Sequence, residues 1–156
     1  MGRVGDWLRR RVGDPLVAEL RQGATPEGLA TSVAVGGAIG ILPFLGLTTA
    51  AGALAGRLLR LNHVAIQAAN YLLFPVQLAL IVPLVRLGEA LTGATETPLN
   101  PAVIVERFWE SPATFLADYG LAGLHGLLGW TLVAIPAGWV VRRTLLPVFR
   151  RLSPKP

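Results

Sequence analysis

The chain alternates long uncharged stretches with short charged ones. No Asp, Glu, Lys or Arg occurs over residues 28–56, 61–85 or 119–141, which are 29, 25 and 23 residues long. A helix needs about 20 apolar residues to cross a ~30 Å hydrocarbon core, so each stretch is long enough. Thr25-Pro26-Glu27 predicts the start of the first helix. Thr suits the N-cap, Pro the first helical position, and Glu the positive end of the dipole. A straight helix over 28–56 would measure about 43 Å, too long for the core. Its middle carries Pro43-Phe44-Leu45-Gly46, where Pro43 cannot donate to the helix ladder and Gly46 tolerates left-handed backbone. The arms on either side would each be roughly 20 Å long, too short to span. The pattern therefore predicts a re-entrant helical hairpin over 28–56, turning at Pro43 and Gly46.

The second run, 61–85, carries polar side chains at helical spacing. His63, Gln67, Asn70 and Gln77 fall within an arc of about 80° on a continuous helix, with Asn62 beside them. Pro75 lies between Asn70 and Gln77 and predicts a helix break. A polar stripe in a span faces protein or water rather than lipid. Two readings follow: a polar-lined path for a lipid or small solute, or amide glue between helices. The third run, 119–141, holds Gly120, Gly123, Gly126, Gly129, His125 and Pro136. His125 is either a packing donor or a proton relay. Between the last two runs, residues 102–109 read as a short amphipathic helix and Ser111-Pro112 as the start of another. Ahead of the first run, Trp7, Leu8, Val12, Leu16 and Leu20 form an apolar stripe among arginines. That is the pattern of a helix lying on an anionic leaflet, or of a solvated lead-in.

Charge sets the topology. The net charge is +5, from thirteen arginines and one lysine against nine acids. Five arginines precede the first run (Arg3, Arg9, Arg10, Arg11, Arg21), and Arg142, Arg143, Arg150, Arg151 and Lys155 follow the last. Residues 88–118 hold Glu89, Glu96, Glu106, Glu110 and Asp118 with Arg107 as the one base. The positive-inside rule then puts both termini in the cytoplasm and the acidic loop outside. Runs 61–85 and 119–141 cross once each, and 28–56 makes no net crossing, either as a re-entrant hairpin or as two tilted crossings. Arg57 and Arg60 fall at the inner mouth of the hairpin, as phosphate ligands for lipid headgroups or as snorkelling anchors. Gly36-x-x-x-Gly40 and Gly52-x-x-x-Gly56 give the arms small faces, for packing arm to arm or between copies of the chain.

Composition agrees. Of 156 residues 53% are hydrophobic and 15% charged, where soluble domains carry about 25% charged. That disfavours a soluble enzyme and a disordered chain. The chain has no cysteine, which removes disulfides and thiolate metal sites. No phosphate loop, dinucleotide fingerprint, zincin motif or nucleophile elbow occurs, so neither cofactor, metal nor catalytic residue is expected. The basic clusters flank apolar runs, so they read as topology signals rather than a nucleic-acid surface. The expected architecture is an all-α integral membrane protein. It has an amphipathic segment at 1–24, one membrane domain at 25–148 (hairpin 28–56, span 61–85, outer loop 87–118, span 119–141) and a basic tail at 149–156. Its expected partners are membrane lipids and a second copy or another membrane protein.

Gly40-Ile-Leu-Pro43-Phe-Leu-Gly46, a small-residue arm, Arg60-Leu-Asn62 and then a proline break resemble the bacterial membrane family called domain of unknown function 2062. The resemblance runs over residues 25–93 and more loosely to 148. The family commonly has Asn-Pro followed by Thr. Here Asn70-Tyr-Leu-Leu-Phe-Pro75-Val-Gln77 stands instead, which marks a subgroup. The resemblance implies the bacterial inner membrane and a neighbourhood of lipid-linked glycan chemistry, because members occur joined to sugar-transferase domains. It implies no catalytic residues. The readings are thus a lipid or solute path through Asn62, His63, Gln67, Asn70 and Gln77, or a non-catalytic scaffold or accessory subunit of envelope machinery.

Overall fold

The computed structural model describes residues 25–152, so the amphipathic segment expected at 1–24 and the end of the basic tail, 153–156, lie outside the described residues. Among the described residues, all regular structure is helical. The order is α1 (Pro26–Gly40), α2 (Thr48–Leu58), α3 (His63–Leu72), α4 (Phe74–Thr92), α5 (Pro101–Glu110) and α6 (Pro112–Leu152).

Local chemistry explains most of the ends. The Thr25 hydroxyl caps α1, accepting from the Gly28 N–H at 3.1 Å, and Pro26 follows it. The chain then turns over residues 41–47, around Pro43 and a left-handed Gly46 (φ 83°). The arms on either side are 15 and 11 residues long, about 22 and 16 Å. Helix α2 stops in a Schellman turn, in which the Leu61 N–H reaches the Gly56 carbonyl at 2.9 Å. Arg60 occupies the left-handed position of that turn (φ 53°), where glycine is usual. Asn62 then caps α3 by accepting from the Ala65 N–H at 2.8 Å.

Two boundaries depart from expectation. The run 61–85 is not one span: it breaks at Leu73, just before Pro75, into α3 and α4. The helix long and apolar enough to cross a membrane is Phe74–Thr92, which carries Arg86 and Glu89 inside it. Counting charges singly ends the span at Arg86. In the folded chain the two are an i,i+3 ion pair at 2.6 Å, and the helix continues to the left-handed Gly93. The last span is also longer than 119–141. Ser111-Pro112 opens no separate short helix but α6 itself, 41 residues that pass through Pro136 and Pro147. At about 61 Å it extends well beyond a ~30 Å core.

Helix α6 is the spine. It runs antiparallel to α1: the Trp130 Nε1–H donates to the Ala38 carbonyl at 2.7 Å, and Arg142 Nε to Thr31 Oγ1 at 3.1 Å. Further along, Arg150 pairs with Glu27 at 2.8 Å. It runs antiparallel to α4 as well. A Cβ on Gly88 would overlap the His125 carbonyl, and one on Gly129 would overlap the Leu84 carbonyl. Each helix thus contributes one glycine to a backbone-to-backbone contact. The two small-residue pairs of the hairpin do not pack arm to arm. Gly36 and Gly40 lie against the backbone of Ile66 and Asn70, and Gly52 and Gly56 lie under the side chains of Gln67 and His63. Both arms close on α3.

The distribution of side chains inverts that of a water-soluble domain. The interior is small or polar: Ala30, Ser32, Ala34, Asn62, Asn70, Gln77, Glu89, Ala122, His125 and Ala134 are all buried. Leu72, Phe74, Leu78, Leu124, Leu132, Ile135 and Trp139 are exposed. Only 28% of the apolar window of α4 and 22% of that of α6 is buried, so neither is a core helix. Two apolar helices with lipid-like outer surfaces suggest membrane association.

Candidate functional site

Two polar clusters lie between the helices. The first is the seam where the hairpin closes on α3. The Ser32 hydroxyl donates to the Gly28 carbonyl at 2.7 Å and accepts from the Asn62 N–H at 2.9 Å. Gln67 donates from Nε2 to the Thr49 carbonyl at 2.9 Å, and its Oε1 accepts from Asn70 Nδ2 at 3.2 Å. Gln77, only 2% exposed, donates to the Leu42 carbonyl at 2.6 Å. That carbonyl also accepts from the Phe44 N–H at 2.8 Å. The turn is covered on one side by α6, where Pro43 and Phe44 meet Gly126 and Gly123. Leu45, Gly46 and Leu47 are exposed.

The second cluster sits at the other end of the α4–α6 contact. Glu89 is 2% exposed. Its Oε2 takes the Arg86 ion pair, and its Oε1 accepts from the Thr97 N–H at 2.9 Å. Arg86 also donates to the Thr97 carbonyl at 3.0 Å, so the two side chains clip the loop after α4 onto the helix end. One turn on, the Thr92 hydroxyl donates to the Gly88 and Glu89 carbonyls, both at 3.1 Å. The same hydroxyl lies 3.2 Å from His125 Nε2, a bond whose donor depends on the imidazole tautomer. His125 Nδ1 is buried and has no hydrogen-bond partner among the described residues.

Most of the other basic residues gather at the opposite end of α6. Arg142 and Thr31, Arg150 and Glu27, and the α2 terminus with Arg57 and Arg60 all lie toward the start of α1, where Ser32 meets Asn62. Arg57 and Arg60 are exposed. The Arg150 guanidinium, hydrogen-bonded to the Glu27 carboxylate, holds Glu27 below the usual carboxylate range. Arg143 lies over the Trp139 ring, 5.2 Å from its centroid. Beside them, an apolar groove of about 260 Å³ runs between α1 and α6, lined by Ala34, Val35, Trp130, Ile135 and Trp139 and ending at Thr31 and Arg142.

Of the residues expected to line a path, Gln67 and Asn70 bond each other directly. His63 covers Gly56 on the same side of α3. Asn62 caps the helix, and Gln77 stands beyond the break and bonds the turn. The stripe drawn on one continuous helix is therefore divided at Leu73. The Arg86–Glu89–Thr97 clip and the Thr92–His125 bond did not emerge from the sequence pattern. Arg86-x-x-Glu89, an opposite-charge pair at i,i+3 closing an apolar run, is the signal that marks the clip. Among the described residues no group of three His, Cys, Asp or Glu is placed to hold a metal ion.

A family model described as "Uncharacterized protein conserved in bacteria (DUF2062)" matches residues 9–154. No curated protein and no solved structure matches the chain.

Proposed function

The chain belongs to this bacterial family, conserved in bacteria and matched over nearly its whole length, and from that premise we propose that it is a non-catalytic scaffold or accessory subunit of the inner membrane. The observation that carries the reading is the use of the amides. Gln67 bonds the Thr49 carbonyl and Asn70, and Gln77 bonds the Leu42 carbonyl of the turn. Amides spent on partners within the chain act as glue between helices, and two of the three, Asn70 and Gln77, are buried. The basic end of α6 lies beside the start of α1, which supports cytoplasmic termini with the Glu89 end outside. The short arms of the hairpin support a re-entrant element. The exposed strip Leu45-Gly46-Leu47 is the face offered to a second copy or to another membrane protein. Transport of a lipid or solute past the same amides is the competing reading.

Replacing Gln67, Asn70 and Gln77 together by Leu separates the two. Glue predicts loss of the folded state in detergent, read by helicity and by size-exclusion chromatography. A normally folded triple variant overturns it and returns the stripe to the path reading. Single cysteines at positions 44, 58, 95 and 150 test the topology, because the chain has none of its own. Labelling of 58 and 150 from the cytoplasm and of 95 from outside is expected. Labelling of 58 from outside alone removes the re-entrant hairpin.

A further inference from the structure

We propose that the groove between α1 and α6 is a binding site for one acyl chain of an anionic phospholipid, with Arg142 and Arg143 holding the phosphate. Three observations converge. First, the groove is apolar along its length and charged at one end: Ala34, Val35, Ile135 and the two indoles line it, and Thr31 and Arg142 close it. Second, the guanidiniums are held in place. Arg142 Nε donates to Thr31 Oγ1 at 3.1 Å, which orients the remaining N–H groups, and Arg143 is seated on the Trp139 ring. Orientated guanidiniums bind phosphate oxygens bidentately. Third, the length fits. From Arg142 to Trp130, α6 rises about 18 Å, and one leaflet of a ~30 Å core is about 15 Å deep. A chain whose headgroup sits at Arg142 therefore ends near Trp130, where the indole N–H bonds the Ala38 carbonyl and closes the groove. An apolar protein helix in this position would cover the wall and leave the two arginines without an anion. A phospholipid satisfies both the apolar wall and the charged rim.

Trp130 and Trp139 line the groove and provide the readout. The full-length chain with Trp7→Phe and Trp109→Phe keeps only these two of its four tryptophans. It is reconstituted in phosphatidylcholine vesicles containing increasing fractions of phosphatidylglycerol brominated on one acyl chain, or of phosphatidylcholine brominated at the same carbon. Bromine quenches an indole it touches. Half-maximal quenching is expected at about fivefold lower mole fraction of the anionic lipid, the effect of roughly one arginine at an anionic surface. Arg142→Gln with Arg143→Gln should bring the two curves together. Gly138→Leu fills the groove without touching the charges. A Cβ there meets Ala34 O at 3.7 Å and Ala38 Cβ at 3.9 Å, which is ordinary contact, so the side chain enters the groove without a clash at its base and leaves both arginines in place. It should weaken quenching by both lipids. Equal curves for the parent protein, a preference that survives loss of both arginines, or quenching indifferent to Gly138→Leu would each overturn the proposal. Quenching by neither lipid would do so too, and would mark the groove as filled by protein.

Discussion

Where α4 meets α6, backbone touches backbone. Gly88 admits the His125 carbonyl, Gly129 admits the Leu84 carbonyl, and nothing larger than hydrogen fits at either place. Where the hairpin meets α3, the contact is mixed. On the α1 arm Gly36 and Gly40 face backbone, while on the α2 arm it is softer, and Gly52 and Gly56 face the side chains of Gln67 and His63. The carbonyls of the hairpin are tied down by amides, from Gln67 to Thr49 and from Gln77 to Leu42. The difference follows from length. Helices long enough to cross the bilayer satisfy their own backbone and need only close approach to associate. Short arms joined by a proline turn expose carbonyls, and side chains of the neighbouring helix must meet them.

The largest effect should come from the backbone contact. Gly129→Leu drives a side chain into the Leu84 carbonyl, and overpacking of this kind costs about 3 kcal/mol or more. Gly52→Ala meets Gln67 Nε2 and Ile66 Cγ2, both at 3.1 Å, so side chains rather than backbone must shift, by a few tenths of an ångström. Alanine also gains up to ~1 kcal/mol of helix propensity over glycine. Equilibrium unfolding by SDS in mixed micelles should show Gly129→Leu unfolded or strongly destabilised, and Gly52→Ala within about 1 kcal/mol of the parent. Equal sensitivity at the two sites would erase the distinction between the regions.

Within the hairpin, the amide bonds should rank by burial. Gln77→Leu removes the donor to a part-buried turn carbonyl that keeps only the Phe44 N–H, at a cost of about 1 to 2 kcal/mol. Gln67→Leu releases the carbonyl of the exposed Thr49 but also takes the acceptor from Asn70 Nδ2, and should cost about 1 kcal/mol. Hydrogen exchange is the sharper check. Gln77→Leu should speed exchange over residues 41–47 and leave α6 unchanged. Uniform acceleration would mean that the turn and the spine open as one unit.

These regions also differ in how well the sequence announces them. The hairpin was legible because its signals are local: Thr25-Pro26, Pro43 to Gly46, and the break before Pro75 each act within a turn of themselves. The pairing of the glycines was not, since spacing says that a face is small but not which helix fills it. The end of α4 was hidden because Arg86 and Glu89 count as two charges in a hydropathy profile and as one neutral pair in the fold. Asn62 stands beside the stripe and joins the expected path only by proximity. Its position, two residues after a left-handed one and directly before a helix, is that of a cap. The bond between Thr92 and His125 joins residues 33 apart and has no local signature.

Arg60 offers a smaller test, at the joint between α2 and α3. A non-glycine residue held at φ 53° costs about 1 kcal/mol. Arg60→Gly should therefore stabilise the chain by about that amount, less a few tenths for losing a cation at a helix C-terminus. Arg60→Ala keeps the strained backbone and should give no gain. A gain from alanine equal to that from glycine would mean that the arginine side chain, not its backbone, carries the strain.

The smallest effect should come where the two regions are tied together, at the Glu27–Arg150 pair between the start of α1 and the end of α6. Both side chains are solvent-accessible, so the bond is weak and salt-screened. Its direction with pH is nonetheless fixed. The hydrogen bond from Arg150 lowers the Glu27 pKa in the folded chain, so its contribution is fully present above the unfolded value and disappears as pH falls through the folded one. Glu27→Gln should therefore be slightly less stable than the parent at pH 7, and the difference should shrink as pH falls through the lowered folded value and vanish below it. Raising the salt concentration at pH 7 should shrink it as well. If instead the difference persisted in acid, the glutamate would act through packing rather than through its charge, and the polar ties between hairpin and spine would be the Thr31 and Trp130 bonds.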